Sequence, residues 1–438
     1  MDDPQSPPSE QRRRSMPAGR GVAAQLRVVA GLVGHALRRP PAAPAVEVRT
    51  QPHPDVRGVL IDAQPTSTVG VGGRAIPARS WRFSYTTDDS TGRVIPATGL
   101  YIRPLRPWTG PGPRPVVAFA PSTQGMGASS DPSQSAPVGW AVRRRGRRIE
   151  DVIFAYELPV INHFVSRGMG VVVIDYPRDP RTGIQLYANN IACGYALIDA
   201  VRACSSHFFP AAAPVGWWGF SQGGGAVGKA CELAATAEPR PRAAVVGAPP
   251  SDLVKVLRFV DHHTLTGIVS FAVLGFYTSH PETVRAALAN VSDYGLEQIR
   301  ATALLSAFGA ALRGGWRGSR HWTTNDQRLS ASLDESAALT AELERHRLGT
   351  QPLHHPTLLW GNRYDDVIPF PQVEEVARGW ARLSPEFLDY RVYAFLPTIF
   401  HFTVGHFGTY ALTMRRHAQW LCSHLYGAEK KTCGRSTG

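Results

Sequence analysis

Short apolar runs recur along the chain, and helix-like segments separate most of them. Six of these runs are apolar enough to predict strands buried on both faces of a sheet, and they are Pro115–Ala120, Gly170–Asp175, Val215–Gly219, Ala243–Gly247, Thr357–Trp360 and Tyr390–Leu396. Arg79–Thr86 and Val94–Ile102 predict two earlier strands, while Gln185–Cys204 and Gly223–Ala235 have helical periodicity. This alternation predicts an α/β fold whose mostly parallel sheet is flanked by helices.

Residues 251–350 interrupt the alternation, because they contain helical stretches and no convincing strand. The stretches with helical periodicity are Val254–Val260, Leu265–Tyr277 and Gln298–Leu312. We therefore predict a helical cap or lid inserted into a core formed by residues 51–250 and 351–438. A second, separately folded helical domain is the alternative interpretation.

Residues 1–50 are predicted to be an N-terminal arm outside the core. Gly21–Leu37 is apolar enough to indicate an export signal, with Ala43-Pro44-Ala45 as a cleavage-site-like string, although Arg27 interrupts the run. An amphipathic helix on a disordered arm is the alternative. The expected location is therefore secreted or in the cell envelope, with the cytoplasm as the second choice.

The string Gly219-Phe220-Ser221-Gln222-Gly223 fits the pattern G-x-S-x-G. A predicted strand precedes it, and the small residues Gly223–Gly228 begin a predicted helix behind it. In this context the pattern is typical of the nucleophile elbow of an α/β-hydrolase fold, in which a sharp strand-to-helix turn exposes the serine hydroxyl. We therefore predict that Ser221 is a nucleophile; the alternative is a plain glycine-rich turn.

A serine nucleophile needs a histidine base, which a carboxylate orients. In this fold the acid follows the serine along the chain and the histidine comes last. Asp365 and Asp366 both follow a late predicted strand, and we prefer Asp365. His401 and His406 both follow the last predicted strand, and we prefer His401 because it lies closer to the strand end.

An oxyanion hole requires two hydrogen-bond donors near the nucleophile. The backbone amide of Gln222 is one candidate, because it directly follows the serine. The second donor is expected in the loop Pro121–Gly127, where Thr123 is preferred and Gln124 is next.

Taken together, these segments resemble the secretory lipase family from about residue 55 to residue 425. The most specific pieces are Tyr85-Thr86-Thr87-Asp88, Ser122-Thr123-Gln124-Gly125, Asp175-Tyr176, Gly219–Gly223, Gly247–Leu253 and Asp365–Pro369. The resemblance implies an α/β-hydrolase core with a helical cap, and triacylglycerol or shorter esters as substrates.

The resemblance also bears on the triad. The family's acid opens a D-x-[IV]-[IV]-P stretch, which selects Asp365, and its histidine usually lies four residues after a proline, as His401 does after Pro397. However, the number of residues between the family's histidine and the tryptophan of its last helix, here Trp420, is matched better by His406 than by His401. Ser130–Ser133 lacks the cysteine that the family often has there, so the disulfide from this loop to the cap is not expected.

The chain is basic, with 47 Lys and Arg against 34 Asp and Glu and a formal net charge of +13. Runs at Arg12–Arg14 and Arg143–Arg148 are predicted to be solvated basic loops, with attraction to anionic lipid surfaces as a minor alternative. No nucleic-acid motif accompanies them. The five cysteines lack the spacing of a metal site, although Cys422 and Cys433 could close a small disulfide loop.

The sequence therefore predicts a serine hydrolase that cleaves carboxylic esters, either a lipase or a carboxylesterase. Ser221, Asp365 and His401 would form its triad, and Thr123 and Gln222 its oxyanion hole. We expect no metal or other cofactor, no nucleic-acid partner, a lipid or other ester as substrate, and transient contact with a lipid interface. The alternatives are an acyltransferase of the same fold and a catalytically silent binding protein.

Overall fold

The computed structural model describes residues 55–70, 73–145, 147–334, 336–396 and 401–426. The predicted N-terminal arm (residues 1–50) and its export signal lie wholly outside these residues. The predicted Cys422–Cys433 disulfide lies partly outside them, because Cys433 is not among the described residues. None of the helices in these ranges is both long enough and apolar enough to cross a membrane.

Nine strands form one sheet, and two more form a separate hairpin. In chain order the strands are β1 (Leu60–Thr66), β2 (Ala78–Asp88), β3 (Val94–Pro104), β4 (Val116–Ala120), β5 (Trp140–Arg145), β6 (Arg148–Phe154), β7 (Gly170–Ile174), β8 (Val215–Phe220), β9 (Ala243–Gly247), β10 (Thr357–Asn362) and β11 (Leu388–Tyr393). The sheet order is β1-β2-β3-β7-β4-β8-β9-β10-β11. The pairs from β1 to β7 are antiparallel, and those from β7 to β11 are parallel.

Helices flank this sheet. They are α1 (Pro132–Ser135), α2 (Leu158–Ser166), α3 (Asn190–Cys204), α4 (Gln222–Leu233), α5 (Leu253–Val260), α6 (Ile268–Ser279), α7 (Pro281–Ala287), α8 (Asp293–Thr302), α9 (Ala307–Gly314), α10 (Leu329–Asp334), α11 (Ala337–Arg345), α12 (Phe370–Leu383) and α13 (Thr409–Tyr426). Helices α5 to α11 follow β9 and precede β10; residues 253–345 are called the helical segment below.

The mostly parallel α/β architecture is confirmed. Every residue of β4, β7, β8, β9 and β10 is buried, because these strands lie in the interior of the sheet. The apolar runs that predicted them therefore reflect burial on both faces of each strand.

Two predicted helices differ from the observed ones. The helix expected over Gln185–Cys204 begins only at Asn190, because the Asn189 side chain accepts a hydrogen bond from Ala192 N and caps it. The helix expected over Gln298–Leu312 is two helices, since Ser306 lies between them and its Oγ accepts a hydrogen bond from Gly309 N. In both stretches, a capping side chain makes a helix begin at a residue inside a region whose apolar residues have helical spacing throughout.

The basic run Arg143–Arg148, expected to be a loop, belongs to the β5–β6 hairpin. Asp151 of β6 is fully buried, and it accepts hydrogen bonds from Ser306 N and Ser306 Oγ just before α9. The hairpin is thereby fixed against the helical segment.

A buried carboxylate on α4 fixes the point where the chain returns from the helical segment to the sheet. Glu232 Oε1 accepts hydrogen bonds from Gly349 N at 2.7 Å, Thr350 N at 3.1 Å and Trp380 Nε1 at 3.1 Å. Its Oε2 lies 2.9 Å from Lys229 Nζ, and both side chains are buried. The charge of Glu232 is thus compensated by several donors within the core.

We predict that Glu232→Gln lowers the free energy of unfolding by about 2–4 kcal/mol, because it leaves the Lys229 ammonium buried without its counterion. Urea denaturation followed by circular dichroism measures this change. Glu282→Gln is the matched control, because its ion pair with Arg285 is exposed, and its loss should change the same quantity by less than about 1 kcal/mol. Equal effects of the two substitutions would contradict the role given to Glu232.

Candidate active site

Ser221 lies at the sharp turn between β8 and α4, as predicted. Its backbone has φ 57° and ψ −121°, a conformation that a residue with a side chain rarely adopts. Ser221 N donates a hydrogen bond to Gly247 O at 2.9 Å, and Ser221 O accepts one from Gly225 N at 3.0 Å. The turn is therefore held from both the neighbouring strand and the helix behind it.

The glycines of the motif permit this turn because other backbone atoms occupy the positions of their missing side chains. A Cβ atom on Gly219 would lie 2.0 Å from Gly223 O, and one on Gly223 would lie 2.0 Å from Ala120 O. Strand β8, helix α4 and the end of β4 can approach this closely only without those atoms. The glycines of the motif are thus needed for the close packing of the backbone segments as well as for the exposure of the serine.

Asp365 lies in the loop after β10 and is hydrogen-bonded through both oxygens. Oδ1 accepts from Val367 N at 2.9 Å and Ile368 N at 2.7 Å, and Oδ2 lies 2.7 Å from His406 Nδ1. The neighbouring Asp366 accepts from His406 N at 3.1 Å instead. Burial raises the pKa of Asp366, and the nearby His406 opposes that shift. Asp365 therefore holds the imidazole ring of His406, and Asp366 holds the backbone of the same residue.

His406, and not the preferred His401, makes the contact with Asp365. His406 is fully buried in a π-helical turn, Val404–Gly408, that leads into α13. Gly405 allows this turn to pack on the acid loop, since a Cβ atom there would lie 2.0 Å from Tyr364 O. Asn362 at the end of β10 donates to Gly405 O at 2.9 Å. The sequence signals for His406 were thus Gly405 directly before it and the amide side chain of Asn362 at the end of the strand before the acid loop.

His401 lies elsewhere, with a positive φ of 54°. Its ring stacks on His263 of the helical segment, with centroids 3.6 Å apart and planes 12° apart. Its carbonyl oxygen accepts a hydrogen bond from Thr264 Oγ1. Burial and the neighbouring His401 lower the pKa of His263. His401 therefore joins the helical segment to the loop that carries His406.

The second ring nitrogen of His406, Nε2, is not the one that contacts Asp365. Nε2 is buried and has no hydrogen-bond partner among the described residues, while Ser221 and His406 line the same cavity. The His406 ring packs on Phe220, the residue before Ser221, with centroids 4.4 Å apart. Since Nδ1 is engaged by a carboxylate, Nε2 is the nitrogen available to accept a proton.

Thr123 and Gln222 also line this cavity. Gln222 is the first residue of α4, so its backbone N–H has no partner within the helix. The Thr123 carbonyl accepts a hydrogen bond from Tyr156 OH, and Thr123 Oγ1 lies 2.8 Å from Tyr187 OH. The loop that carries Thr123 is therefore fixed by the buried Tyr187 and the partly buried Tyr156.

Glu157 is a structural residue of this site that no sequence motif indicated. It is buried, and its Oε1 accepts hydrogen bonds from Ser122 N and Ser122 Oγ. Its Oε2 accepts one from Tyr410 OH of α13 at 2.9 Å. Burial raises the pKa of Glu157, against the effect of these bonds. The available signal was an acidic residue inside the otherwise apolar stretch Phe154–Ile161.

The cavity has a volume of about 740 Å³. No Asp, Glu, Lys or Arg is found among the described residues that line it. The helical segment supplies much of the wall, including Leu253, Val256 and Ala272 at its buried side. Such a cavity accommodates an uncharged, largely apolar ligand. Within the described ranges, no cluster of three or more His, Cys, Asp or Glu could hold a metal ion.

We predict that Gly223→Ala destabilises the fold by more than about 3 kcal/mol, because the new methyl group collides with backbone that cannot move independently. Thermal unfolding of purified protein, or loss of soluble expression, measures this. Gly228→Ala on the same helix is the matched control, since the three atoms nearest its Cβ would all belong to the Leu348 side chain, which can adjust more easily than backbone, and a change within about 1 kcal/mol is expected. A Gly223→Ala protein as stable as the control would refute this account of the elbow.

The sequence family described as "Secretory lipase" matches residues 143–427 of this chain. Among solved structures, Candida antarctica lipase A in its closed state has a TM-score of 0.71 at 15% identity, over 86% of this chain and 84% of that chain. The rice cell wall degrading esterase LipA from Xanthomonas oryzae has a TM-score of 0.67 at 16% identity, over 84% of this chain and 99% of that chain. These likenesses show a shared α/β-hydrolase fold.

A curated protein from Mycobacterium tuberculosis, named "Probable inactive lipase", is 25% identical over 204 residues. The match covers 45% of this chain and 43% of that protein. The chain thus spans less than half the length of this curated relative.

Proposed function

This chain belongs to the secretory lipase family, and from that premise we propose that it hydrolyses carboxylic esters with Ser221 as nucleophile, His406 as base and Asp365 as the orienting acid. The family and the fold support ester hydrolysis in general. One observation carries the assignment of residues: Asp365 Oδ2 lies 2.7 Å from His406 Nδ1, while Nε2 has no hydrogen-bond partner among the described residues and His406 lines the same cavity as Ser221. The family also suggests a secreted protein.

In the proposed reaction, Ser221 Oγ attacks the ester carbonyl carbon while His406 Nε2 takes the hydroxyl proton. Asp365 keeps the Nδ1 proton in place and stabilises the imidazolium that forms. The backbone N–H groups of Gln222 and Thr123 would donate to the oxyanion. The proton on His406 then passes to the leaving alcohol, and the same histidine activates the water that releases the acid from Ser221.

We assign the base to His406 in place of His401, which the sequence favoured. The ring of His401 is stacked on His263, and its carbonyl is held by Thr264. A base must be oriented by the acid to hold one tautomer, and Asp365 contacts His406. We therefore propose that His401 is a positioning residue for the loop and takes no part in proton transfer.

The substrate that best fits the cavity is an ester with an uncharged, extended acyl chain. A charged acyl or alcohol group would lose its hydration there without a counterion, because no charged side chain is found in the described lining. This favours acylglycerols and simple fatty-acid esters over polar or charged esters.

The relative named as a probable inactive lipase supports a second candidate, a binding protein of the same fold without turnover. Labelling with a fluorophosphonate separates the two candidates, because the probe reacts with an activated serine. Labelling of Ser221 that is lost in Ser221→Ala supports the enzyme. Absence of labelling, with retained binding of fatty esters, supports the silent protein.

We predict that Ser221→Ala and His406→Gln each lower kcat by at least about 10³-fold on p-nitrophenyl esters, because the nucleophile or its base is removed. His401→Gln is the matched control: the same change in a histidine five residues earlier should alter kcat by less than about tenfold. Steady-state kinetics measures both. A His401→Gln enzyme as impaired as Ser221→Ala, beside an active His406→Gln enzyme, would refute the assignment.

We predict that Ala272→Phe shortens the preferred acyl chain. Ala272 is 6% exposed and lies on the buried side of the cavity, so a larger side chain there should exclude the end of a long chain and leave the space near Ser221 open. The ratio of kcat/KM for a long-chain to a butyryl ester should fall by at least about tenfold. Leu412→Phe, at an exposed position outside the cavity, should leave the ratio unchanged. An equal fall in kcat/KM for long-chain and short-chain esters would contradict the placement of Ala272 at the end of the acyl-chain cavity.

A further inference from the structure

Five side chains that line the cavity are also largely exposed to solvent. They are Phe154 (44% exposed), Phe308 (53%), Leu312 (68%), Trp316 (48%) and Phe402 (52%). We call them the apolar rim. Large apolar side chains that are exposed together indicate a surface that contacts another apolar phase.

Three different elements supply the apolar rim, and contacts fix them to one another. Phe308 and Leu312 lie one turn apart on α9, and Trp316 follows that helix and meets Phe402 with ring centroids 5.0 Å apart. Phe154 ends β6, whose Asp151 holds Ser306 at the start of α9. The rim is therefore an ordered surface around the mouth of the cavity.

Exposed arginines flank the apolar rim. Arg313 and Arg317 follow Leu312 and Trp316 directly, and Arg144 and Arg147 are exposed on the β5–β6 hairpin. The hairpin lies beside the rim, because Arg143 Nη1 donates to Leu304 O, four residues before Phe308. Leu304 is itself 63% exposed.

Acidic residues are scarce in the same segments. The sequence has none between Glu297 and Asp326, which includes α9, and none between Asp389 and Glu429, which includes Phe402. In the hairpin, Glu150 and the buried Asp151 both lie 3.9 Å from Arg143. The charge around the apolar rim is therefore predominantly positive, which complements a negatively charged surface.

We propose that the apolar rim and its flanking arginines form a docking surface for an anionic lipid bilayer. The rim side chains would enter the acyl region while the arginines contact lipid phosphates at the headgroup level. A nucleic acid would satisfy the arginines but leave the exposed apolar side chains in water, so a lipid surface fits both features. The docking does not depend on the chemistry at Ser221.

The test uses the full chain with Ser221→Ala, so that turnover cannot alter the vesicles. Flotation with phosphatidylcholine vesicles, with and without phosphatidylglycerol, measures binding at low and high salt. We expect phosphatidylglycerol to tighten binding by at least about tenfold, and salt to reverse most of that gain. Equal binding to both vesicles, or binding to an RNA homopolymer without binding to either vesicle, would overturn the proposal.

Matched variants in the same background localise the effect. Leu312→Gln should weaken vesicle binding, whereas Leu412→Gln should not, because Leu412 is 65% exposed but does not line the cavity. Arg313→Gln with Arg317→Gln should remove the preference for phosphatidylglycerol. Arg378→Gln with Arg382→Gln should retain it, since these exposed arginines have the same spacing on α12, away from the rim. Anionic binding that persists in both rim variants would assign it to another part of the chain and refute the proposal.

Discussion

The conformation of Ser221 depends on the close approach of three backbone segments, the ends of β4 and β8 and the start of α4. A left-handed φ at a serine is unfavourable in isolation, and here it is maintained by hydrogen bonds to Gly247 O and from Gly225 N. The same turn requires glycine at positions 219 and 223, because a Cβ atom at either would lie 2.0 Å from a backbone oxygen of α4 or β4. The reactivity proposed for the serine thus has its origin in the packing of the parallel sheet, which presents the turn at its carboxyl edge.

Buried carboxylates organise the rest of the site around this turn. Asp365 fixes the imidazole of His406, Glu157 joins the loop of Ser122 to α13, and Glu232 joins α4 to the returning chain. Each would be strongly destabilising if left without donors, so each constrains the backbone amides and hydroxyls that surround it. This arrangement joins the loop after β4, helix α13 and the segment before β10 to the elbow, and none of the described residues that line the cavity carries an Asp, Glu, Lys or Arg side chain.

The sequence predicted the interior strands well because burial on both faces leaves a direct signature, as in Val215–Phe220 and Ala243–Gly247. It did not predict β1, and the run Tyr390–Leu396, predicted to be buried on both faces, is the edge strand Leu388–Tyr393, none of whose residues is fully buried. Asp365, which the sequence favoured over Asp366 as the orienting acid, is the residue whose side chain contacts a histidine ring. The sequence did not resolve His401 from His406, because distance along the chain says little when the loop contains positive φ values at both His401 and Thr403 and then a π-helical turn. Glu157 went unnoticed, since its partners, Ser122 and Tyr410, are far from it in sequence. Contacts of this kind follow from tertiary structure and have no local pattern.

Helix α9 illustrates how one element can serve both the cavity and the surface. Its Ser306 cap breaks the long helix that periodicity predicts, and the break brings Phe308 and Leu312 to the mouth of the cavity while Asp151 holds the cap. Exposed apolar side chains lower solubility, and a basic surface limits self-association by charge repulsion. The arginines beside the apolar rim can therefore keep the free protein dispersed in water and still attract it to a negatively charged lipid surface. On the proposed docking, the basic surface offsets the loss of solubility that the exposed apolar rim causes, and the rim gives an apolar substrate access to the cavity.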